Sequence, residues 1–316
     1  MWRQRAEPAK GPAGVPHATD DLPALLARLD WTVLRRLDGL LQGDHRTLFK
    51  GAGLDLAELR EYQPHDDVRH IDWLVTARTG TAHVREHLED REIQGWFLAD
   101  LSGSMAVGSE GVTKRDRLLG FVAVISRLLM LRGNRIGAMI WHHDGPHGMV
   151  HIPPRMGRRH ALHLMQRLCE PRPPTGLHQS PLDEWLRRAA RSLPRRAEVF
   201  VLSDFLSPSP WEKALAELAH RHDGIVVRLT DPIESNLPQA GMFWAQDAET
   251  GEQIWVDSSD PGLRLRYAQQ AQADRERLAH VVSQAGMDAL ELSTQEDLTE
   301  ALLRFVQLRQ LKPRHG

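Results

Sequence analysis

From residue 92 onward, short apolar runs alternate with longer segments in which apolar residues recur at helical spacing. The short runs, bounded by polar residues, predict buried strands at 96–99, 136–141, 199–202, 224–229 and 289–292. The longer segments predict helices at 118–131, 157–169, 182–193, 211–220 and 267–284. Alternation of this kind predicts an α/β fold of Rossmann-like type, with a mostly parallel central sheet and helices on both faces.

Three further patterns complete this part of the chain. Residues 149–152 follow a turn at Asp144-Gly145 and are expected to pair back as a hairpin. A second hairpin is expected near 242–256, around Glu249-Thr250-Gly251, as an insertion in the fold. The string at 293–296, Ser-Thr-Gln-Glu, reads as a capping box that opens a terminal helix.

The first 91 residues have a different character. Residues 1–20 are rich in Pro, Gly and Ala with little to bury, so we expect them to be disordered. Apolar residues at helical spacing over 22–41 predict a helix, which Gly43 would end. We therefore divide the chain into a disordered N-terminus at 1–20, a helix with a charged segment at 21–91, and an α/β domain at 92–310.

The charged segment interleaves acidic, basic and apolar residues, and 81–86 alternates like a strand. Such a stretch can pack only if its charges are paired, and arginine supports the two-pronged pairing with carboxylates that burial requires. The segment is therefore predicted to form an α+β scaffold packed against the α/β domain, in preference to a direct binding surface. The predicted ion-pair network consists of Arg60, Glu61, Asp66, Asp67, Arg69, Asp72 and Arg78.

Composition narrows the possible surroundings and partners. The formal net charge is −2, which gives no strong attraction to nucleic acid or to a membrane surface. The single cysteine, Cys169, cannot form an internal disulfide, which fits a reducing compartment. No run of about 18 apolar residues and no secretory signal is present, so we expect a cytoplasmic protein without a membrane span.

Candidate chemistry lies where two predicted strands end. Asp100, Ser102 and Ser104 follow the first strand in the string Asp-Leu-Ser-Gly-Ser, and Asp204 follows the run at 199–202. Carboxylates and hydroxyls form an all-oxygen ligand set that suits Mg²⁺ or Mn²⁺ better than zinc. Because the ends of neighbouring parallel strands meet at one edge of a sheet, the sequence predicts a divalent-metal site there.

These motifs resemble those of a known family. Asp-x-Ser-x-Ser after a first strand, with a later Asp after another strand, is similar to the metal-ion-dependent adhesion site of von Willebrand factor type A domains. The string Leu-Arg-Glu-Tyr-x-Pro-x-Asp-Asp-Val-Arg-x-Ile-Asp-Trp at 59–73, with Ala-Arg-Thr at 77–79, resembles the bacterial family called domain of unknown function 58. The resemblance runs from about residue 43 to residue 309.

The resemblance implies a type A domain that binds protein rather than turning over a substrate. The metal's free position would be completed by a carboxylate of the partner. Family members are typically encoded with MoxR-type AAA+ ATPases and are thought to act as adaptors in the assembly or maturation of other proteins, so this ATPase is the expected partner. At the third metal loop the family usually has Gly-Thr-Asp, and here the Thr position is assigned to Ser180, with Thr175 as the alternative. The family also usually has Gly where this chain has His65.

Other classes fit the residues less well. A phosphotransferase of the haloacid dehalogenase type needs a second Asp where Ser102 stands, and a serine hydrolase needs Gly-x-Ser-x-Gly. The histidines at 142, 143, 147 and 151 could suggest a zinc site, but they lie around a turn without helical spacing, so we expect solvated turn residues in preference to metal ligands. The expected function is therefore non-enzymatic, and the alternatives are a metal-dependent hydrolase that uses Asp100 and a scaffold without a functional metal site.

Overall fold

The structure, a computed structural model, describes a large part of the chain. It covers residues 58–63, 66, 68, 71–86, 94–131, 133–142, 148–170, 182–194, 196–207, 209–248 and 251–311. The predicted disordered segment at 1–20 and the predicted helix at 22–41 lie outside the described residues, and so do Ser180 and Thr175.

The strands and helices alternate along most of the chain. The strands are β1 Glu58–Glu61, β2 His83–Glu86, β3 Gln94–Leu101, β4 Gly108–Ser109, β5 Val112–Thr113, β6 Arg135–His142, β7 Met149–Arg155, β8 Glu198–Ser203, β9 Asp223–Thr230, β10 Met242–Gln246, β11 Gln253–Asp257 and β12 Asp288–Ser293. The helices are α1 Trp73–Thr79, α2 Lys114–Met130, α3 Arg158–Cys169, α4 Leu182–Ser192, α5 Glu212–Ala219, α6 Pro232–Ser235, α7 Pro261–Gln284 and α8 Leu298–Leu311.

The central sheet has the strand order β12-β9-β8-β3-β6-β7 within the described residues. Neighbouring strands are parallel from β12 to β6, and β7 returns antiparallel beside β6 at the edge. Successive residues of a strand face opposite sides, so the buried run of β3 serves two cores. Phe97 and Ala99 pack in a core with residues of α2, α3 and α8, while Trp96 and Leu98 pack with residues of α4, α5 and α7. Helices thus cover both faces, which confirms the predicted α/β class.

Differences from the predicted elements lie at helix ends. Helix α2 begins at Lys114, where a capping box formed by Thr113 and Asp116 starts a polar first turn before the apolar stripe. Helix α7 begins at Pro261, capped by Asp260. The predicted capping box at 293–296 is wrong, because β12 continues through residue 293 and the Asp297 carboxylate accepts from the N–H groups of the first turn of α8.

Both predicted hairpins are present. Strand β7 pairs with β6, and β10 pairs with β11 as a separate two-stranded sheet. On that sheet Trp244 and Trp255 stand opposite each other, with ring centroids 4.3 Å apart, and more than half of each side chain is exposed. A smaller hairpin, β4–β5, was not predicted.

The charged segment forms a hairpin with a helix between its strands. β1 and β2 are antiparallel, and the Asp72 carboxylate caps α1 by accepting from the N–H groups of Leu74 and Val75. Asp66 accepts from the Gln63 N–H at 2.8 Å, and Arg78 lies in the last turn of α1. Asp67, Arg69 and the Arg60 side chain lie outside the described residues, so the ion-pair network that also included Glu61 stays a prediction. Among the described helices, none has the length and hydrophobicity needed to cross a bilayer.

Candidate metal centre

The site lies between β3 and β8, where the order of strands along the sheet reverses. The chain leaves β3 toward β6 on one side and leaves β8 toward β9 on the other, and β3 and β8 are neighbours. At such a point the loops after the two strands diverge to opposite faces and leave a crevice, which is the usual ligand position in open α/β sheets. Asp100 near the end of β3 and Asp204 directly after β8 both stand at this crevice.

Asp100 is buried and held on both carboxylate oxygens. The backbone N–H of Ser102 donates to Oδ1 at 3.0 Å. The hydroxyl of Ser203 donates to Oδ2 at 2.7 Å, so the last residue of β8 fixes the side chain at the end of β3. Two neutral donors orient this carboxylate, and neither supplies a positive charge.

Ser102 and Ser104 stand in the turn that follows. Their hydroxyl oxygens are 3.2 Å apart. The short 3₁₀ helix Gly103–Ala106 carries the turn, and the fully buried Met105 side chain anchors it in the core. The two hydroxyls therefore lie next to each other in the turn that follows Asp100.

Asp204 is held by a charged partner. Its Oδ1 accepts from the Leu206 N–H at 3.0 Å, and its Oδ2 accepts from the Lys114 ammonium at 2.6 Å. The next residue, Phe205, has φ of 60°, a left-handed conformation unusual for a bulky side chain. Its buried ring packs edge-on against Trp211 with centroids 5.2 Å apart, so packing holds the turn that presents Asp204.

Lys114 is a site residue that the sequence analysis missed. Its side chain is 0% exposed, and besides Asp204 its ammonium contacts the Glu234 carboxylate in α6. Lys114 is the first residue of α2, 90 positions before Asp204 and 120 before Glu234. The available signal was weak: a lysine just ahead of an apolar helix, in a chain whose basic residues are mostly arginine.

The candidate ligands after β3 and β8 line one cavity of about 330 Å³. It brings together Asp100, Ser102, Ser104 and Asp204 of the predicted metal ligands, together with Ser203. The third predicted loop, with Ser180 or Thr175, lies outside the described residues. The remaining lining residues are Phe205, Leu206, Ser207, Trp211, Arg228, Asp247, Asp274, Arg277 and Leu278.

The electrostatics of the two carboxylates differ. Burial and the negative charge of Asp204 raise the pKa of Asp100 to about 6, against the lowering effect of its hydrogen bonds from Ser203 and Ser102. Burial by itself lowers the pKa of Lys114, but the charges of Asp204 and Glu234 outweigh it and the pKa lies above its usual value. Burial also raises the pKa of Glu234, against the opposing effect of Lys114. Among the described residues, a positive charge therefore contacts Asp204, whereas the donors to Asp100 are neutral.

The donors fit a hard divalent cation. Asp100, Ser102, Ser104 and Asp204 offer only oxygen atoms to the cavity, which suits Mg²⁺ or Mn²⁺. Within the described residues, no group of three or more His, Cys, Asp or Glu side chains is placed to hold a metal, so hydroxyls and water would have to complete the coordination. A cation beside Asp100 would also supply a positive charge, which neither of its donors Ser102 N–H and Ser203 hydroxyl carries.

Comparisons with known proteins find relatives in sequence and similar solved structures. The chain is 38% identical over 291 residues to the uncharacterized protein Rv1480 of Mycobacterium tuberculosis, an alignment that covers 91% of this chain and 90% of the relative. The fold is similar to the conserved hypothetical protein BatB from Bacteroides thetaiotaomicron, with a TM-score of 0.40 and 16% identity over 70% of this chain and 100% of that one. It is also similar to a von Willebrand factor type A structure from Catenulispora acidiphila, with a TM-score of 0.35 and 12% identity over 70% of this chain and 42% of that one.

A family model described as "Protein of unknown function DUF58" matches residues 58–277. This stretch takes in the charged segment, the crevice between β3 and β8 and most of α7. The chain belongs to the DUF58 family.

Proposed function

We propose that this chain is a non-enzymatic, protein-binding adaptor that takes Mg²⁺ or Mn²⁺ at Asp100, Ser102, Ser104 and Asp204. The observation that carries the proposal is the convergence of these four side chains on one open cavity at the crevice between β3 and β8. A bound divalent ion would act as a Lewis acid with a free coordination position, which a carboxylate of the partner completes. Ser180, or Thr175 in its place, is the proposed further ligand from the third loop.

The proposed partner is a MoxR-type AAA+ ATPase, and the proposed process is the assembly or maturation of other proteins in the cytoplasm. The support is the family's usual genetic context together with the sequence, which holds no Gly-x-x-x-x-Gly-Lys-[Ser/Thr] motif of its own. ATP hydrolysis would come from the partner, and this chain would supply the recognition.

The metal is tested first, on the purified chain. Mg²⁺ and Mn²⁺ are titrated while the melting temperature is read, because an ion that binds only the folded state raises it. We expect a rise for the wild type and for Asp223→Ala, and none for Asp100→Ala. Asp223 is a matched control, an exposed aspartate at the opposite end of the sheet, where β9 begins. An equal rise in all three proteins contradicts a metal at this site.

The partner is tested next, with the MoxR-type ATPase from the same genome immobilised on a biosensor. We expect binding with Mg²⁺, loss of binding with EDTA, and loss with Asp100→Ala but not with Asp223→Ala. Metal binding without any ATPase binding rules out this partner. Turnover of phosphate ester or peptide substrates that depends on Asp100 would favour the hydrolase alternative.

A further inference from the structure

We infer that Lys114 is the resident cation of this site. Its ammonium holds Asp204 in the absence of metal and thereby limits the affinity for the divalent ion. When the ion binds, the ammonium is retained by Glu234. The inference rests on the proposed metal site and adds to it a residue that sets the strength of metal binding. It concerns the cluster of Lys114, Asp204 and Glu234.

The contacts define a competition. The Lys114 ammonium occupies Oδ2 of Asp204 at 2.6 Å, and the Leu206 N–H occupies Oδ1. A divalent ion that engages Asp204 must therefore share its carboxylate with a positive charge already in contact with it. Two cations on one carboxylate repel each other strongly in a buried setting, so each weakens the binding of the other.

The position of Lys114 indicates more than a packing role. The first residue of a helix lies at the positive end of the helix dipole, where a cation is disfavoured. The side chain is also completely buried, which adds a desolvation cost. A lysine persists here because two carboxylates, those of Asp204 and Glu234, contact its ammonium.

Glu234 gives the ammonium an alternative partner. It lies in α6, where it belongs to a capping box with Asp231. The neighbouring carbonyl of Ile233 accepts from the Tyr267 hydroxyl at 3.1 Å, which connects α6 to α7. Glu234 is thus held in place by its own helix, and Lys114 can leave Asp204 without becoming an unpaired buried charge.

Two substitutions are expected to move metal affinity in opposite directions. Lys114→Met removes the competing cation with little change in volume, so Mn²⁺ binding should tighten by roughly tenfold or more. Glu234→Gln leaves Asp204 as the only carboxylate among the described contacts of Lys114 and removes a negative charge, so Mn²⁺ binding should weaken by about the same factor. The dissociation constant is measured on the purified chain from the electron paramagnetic resonance signal of free Mn²⁺.

The control separates this effect from general destabilisation. Arg309→Met breaks another buried ion pair, with Asp288 at 2.8 Å, in which both side chains are less than a tenth exposed. Arg309 is in the last turn of α8, and its ion pair involves none of the proposed metal ligands, so its loss should lower the melting temperature and leave the Mn²⁺ constant unchanged.

The outcomes are distinct. If the wild type binds Mn²⁺ and Lys114→Met binds no more tightly, Lys114 does not limit affinity and the inference fails while the proposed function stands. Tighter binding by both Lys114→Met and Glu234→Gln overturns it as well, since the two must act with opposite sign. If neither the wild type nor any variant binds the ion, the inference and the proposed metal site fall together.

Discussion

At the scale of single residues, Asp100 places a carboxylate in surroundings that disfavour its negative charge. The side chain is buried beside Asp204, and its donors are a backbone N–H and a serine hydroxyl. Lys114 neutralises Asp204 instead, because its ammonium lies against that carboxylate. Within the part of the chain that the structure describes, the metal-free site therefore keeps a negative charge at Asp100 without a cationic partner, which favours a cation and costs stability.

Asp100→Asn should accordingly stabilise the metal-free protein at neutral pH. The folded pKa of about 6 lies above the ordinary value of 3.8, so the folded state holds its proton over a wider range than the unfolded chain. Wild-type stability contributed by this group is therefore highest below pH 4 and is lost as pH rises through 6. The amide can accept from the Ser102 N–H while donating to the Ser203 hydroxyl, so the local contacts can be kept.

The expected gain is about 1–3 kcal/mol in the free energy of unfolding at pH 7.5, shrinking toward zero near pH 4. Urea titrations in EDTA at the two pH values measure it, with Asp223→Asn as the exposed control. A gain of equal size at both pH values, or a loss at pH 7.5, would show that ionised Asp100 does not lower the free energy of unfolding.

The sequence predicted the candidate ligands at or just after strand ends and missed the residues that contact them from elsewhere in the chain. Asp100, Ser102, Ser104 and Asp204 could be predicted because a local apolar run precedes each loop. Lys114 and Glu234 could not, since their contacts are 90 and 120 residues apart in the chain and depend on how α2 and α6 are packed. Ser203 was not among the predicted site residues, although its hydroxyl orients Asp100.

At the scale of elements, α2 connects the site to the core. Its apolar side is buried against the sheet, and its first turn carries Lys114. The Thr113 hydroxyl accepts from the Asp116 N–H, and the Asp116 carboxylate accepts from the Thr113 N–H, which fixes where the helix begins. The same cap therefore stabilises the helix and positions the lysine.

Thr113→Ala should destabilise the protein by about 1 kcal/mol, the usual effect of losing a helix N-cap. Thr113→Ser keeps the hydroxyl and should lie close to the wild type. Urea denaturation of the two variants gives the comparison. Equal losses in both would mean that the threonine methyl group, and not the cap, is what matters at this position.

The element boundaries show what an apolar pattern can and cannot predict. The strands of the central sheet were predicted to within a few residues because each contains a short run rich in apolar residues, which is buried on both faces in β3, β6 and β8. The starts of α2 and α7 were missed because no apolar stripe marks them. Helix α2 opens with a polar turn after the cap at Thr113, and α7 opens with Pro261-Gly262 after the cap at Asp260. The string at 293–296 has the composition of a capping box, but its backbone pairs with β9 up to residue 293.

At the scale of the whole molecule, stability is concentrated in the middle of the sheet. β3 and β8 are paired on both edges and covered on both faces, with the Phe97 and Phe200 rings stacked 5.3 Å apart in one core. The hairpin β10–β11 is a two-stranded sheet of its own whose tryptophans are largely exposed. Parallel order and layering followed from the sequence, whereas the positions of the strands within the sheet depend on long-range pairing that local patterns do not encode.

Amide hydrogen exchange should reflect this difference, because exchange rates follow the free energy of local opening. We expect peptides from β3, β8 and β9 to be the most protected and those from β10 and β11 to exchange much faster. Mass spectrometry after timed exposure to D₂O resolves these segments. Comparable protection across both sheets would show that the hairpin opens only when the whole domain unfolds.

The facing indoles of Trp244 and Trp255 give this hairpin an optical property of its own. Two aromatic chromophores held 4.3 Å apart and tilted by 36° couple their electronic transitions. The hairpin thus carries a built-in, label-free chromophore pair whose circular dichroism reports whether its two strands are in register.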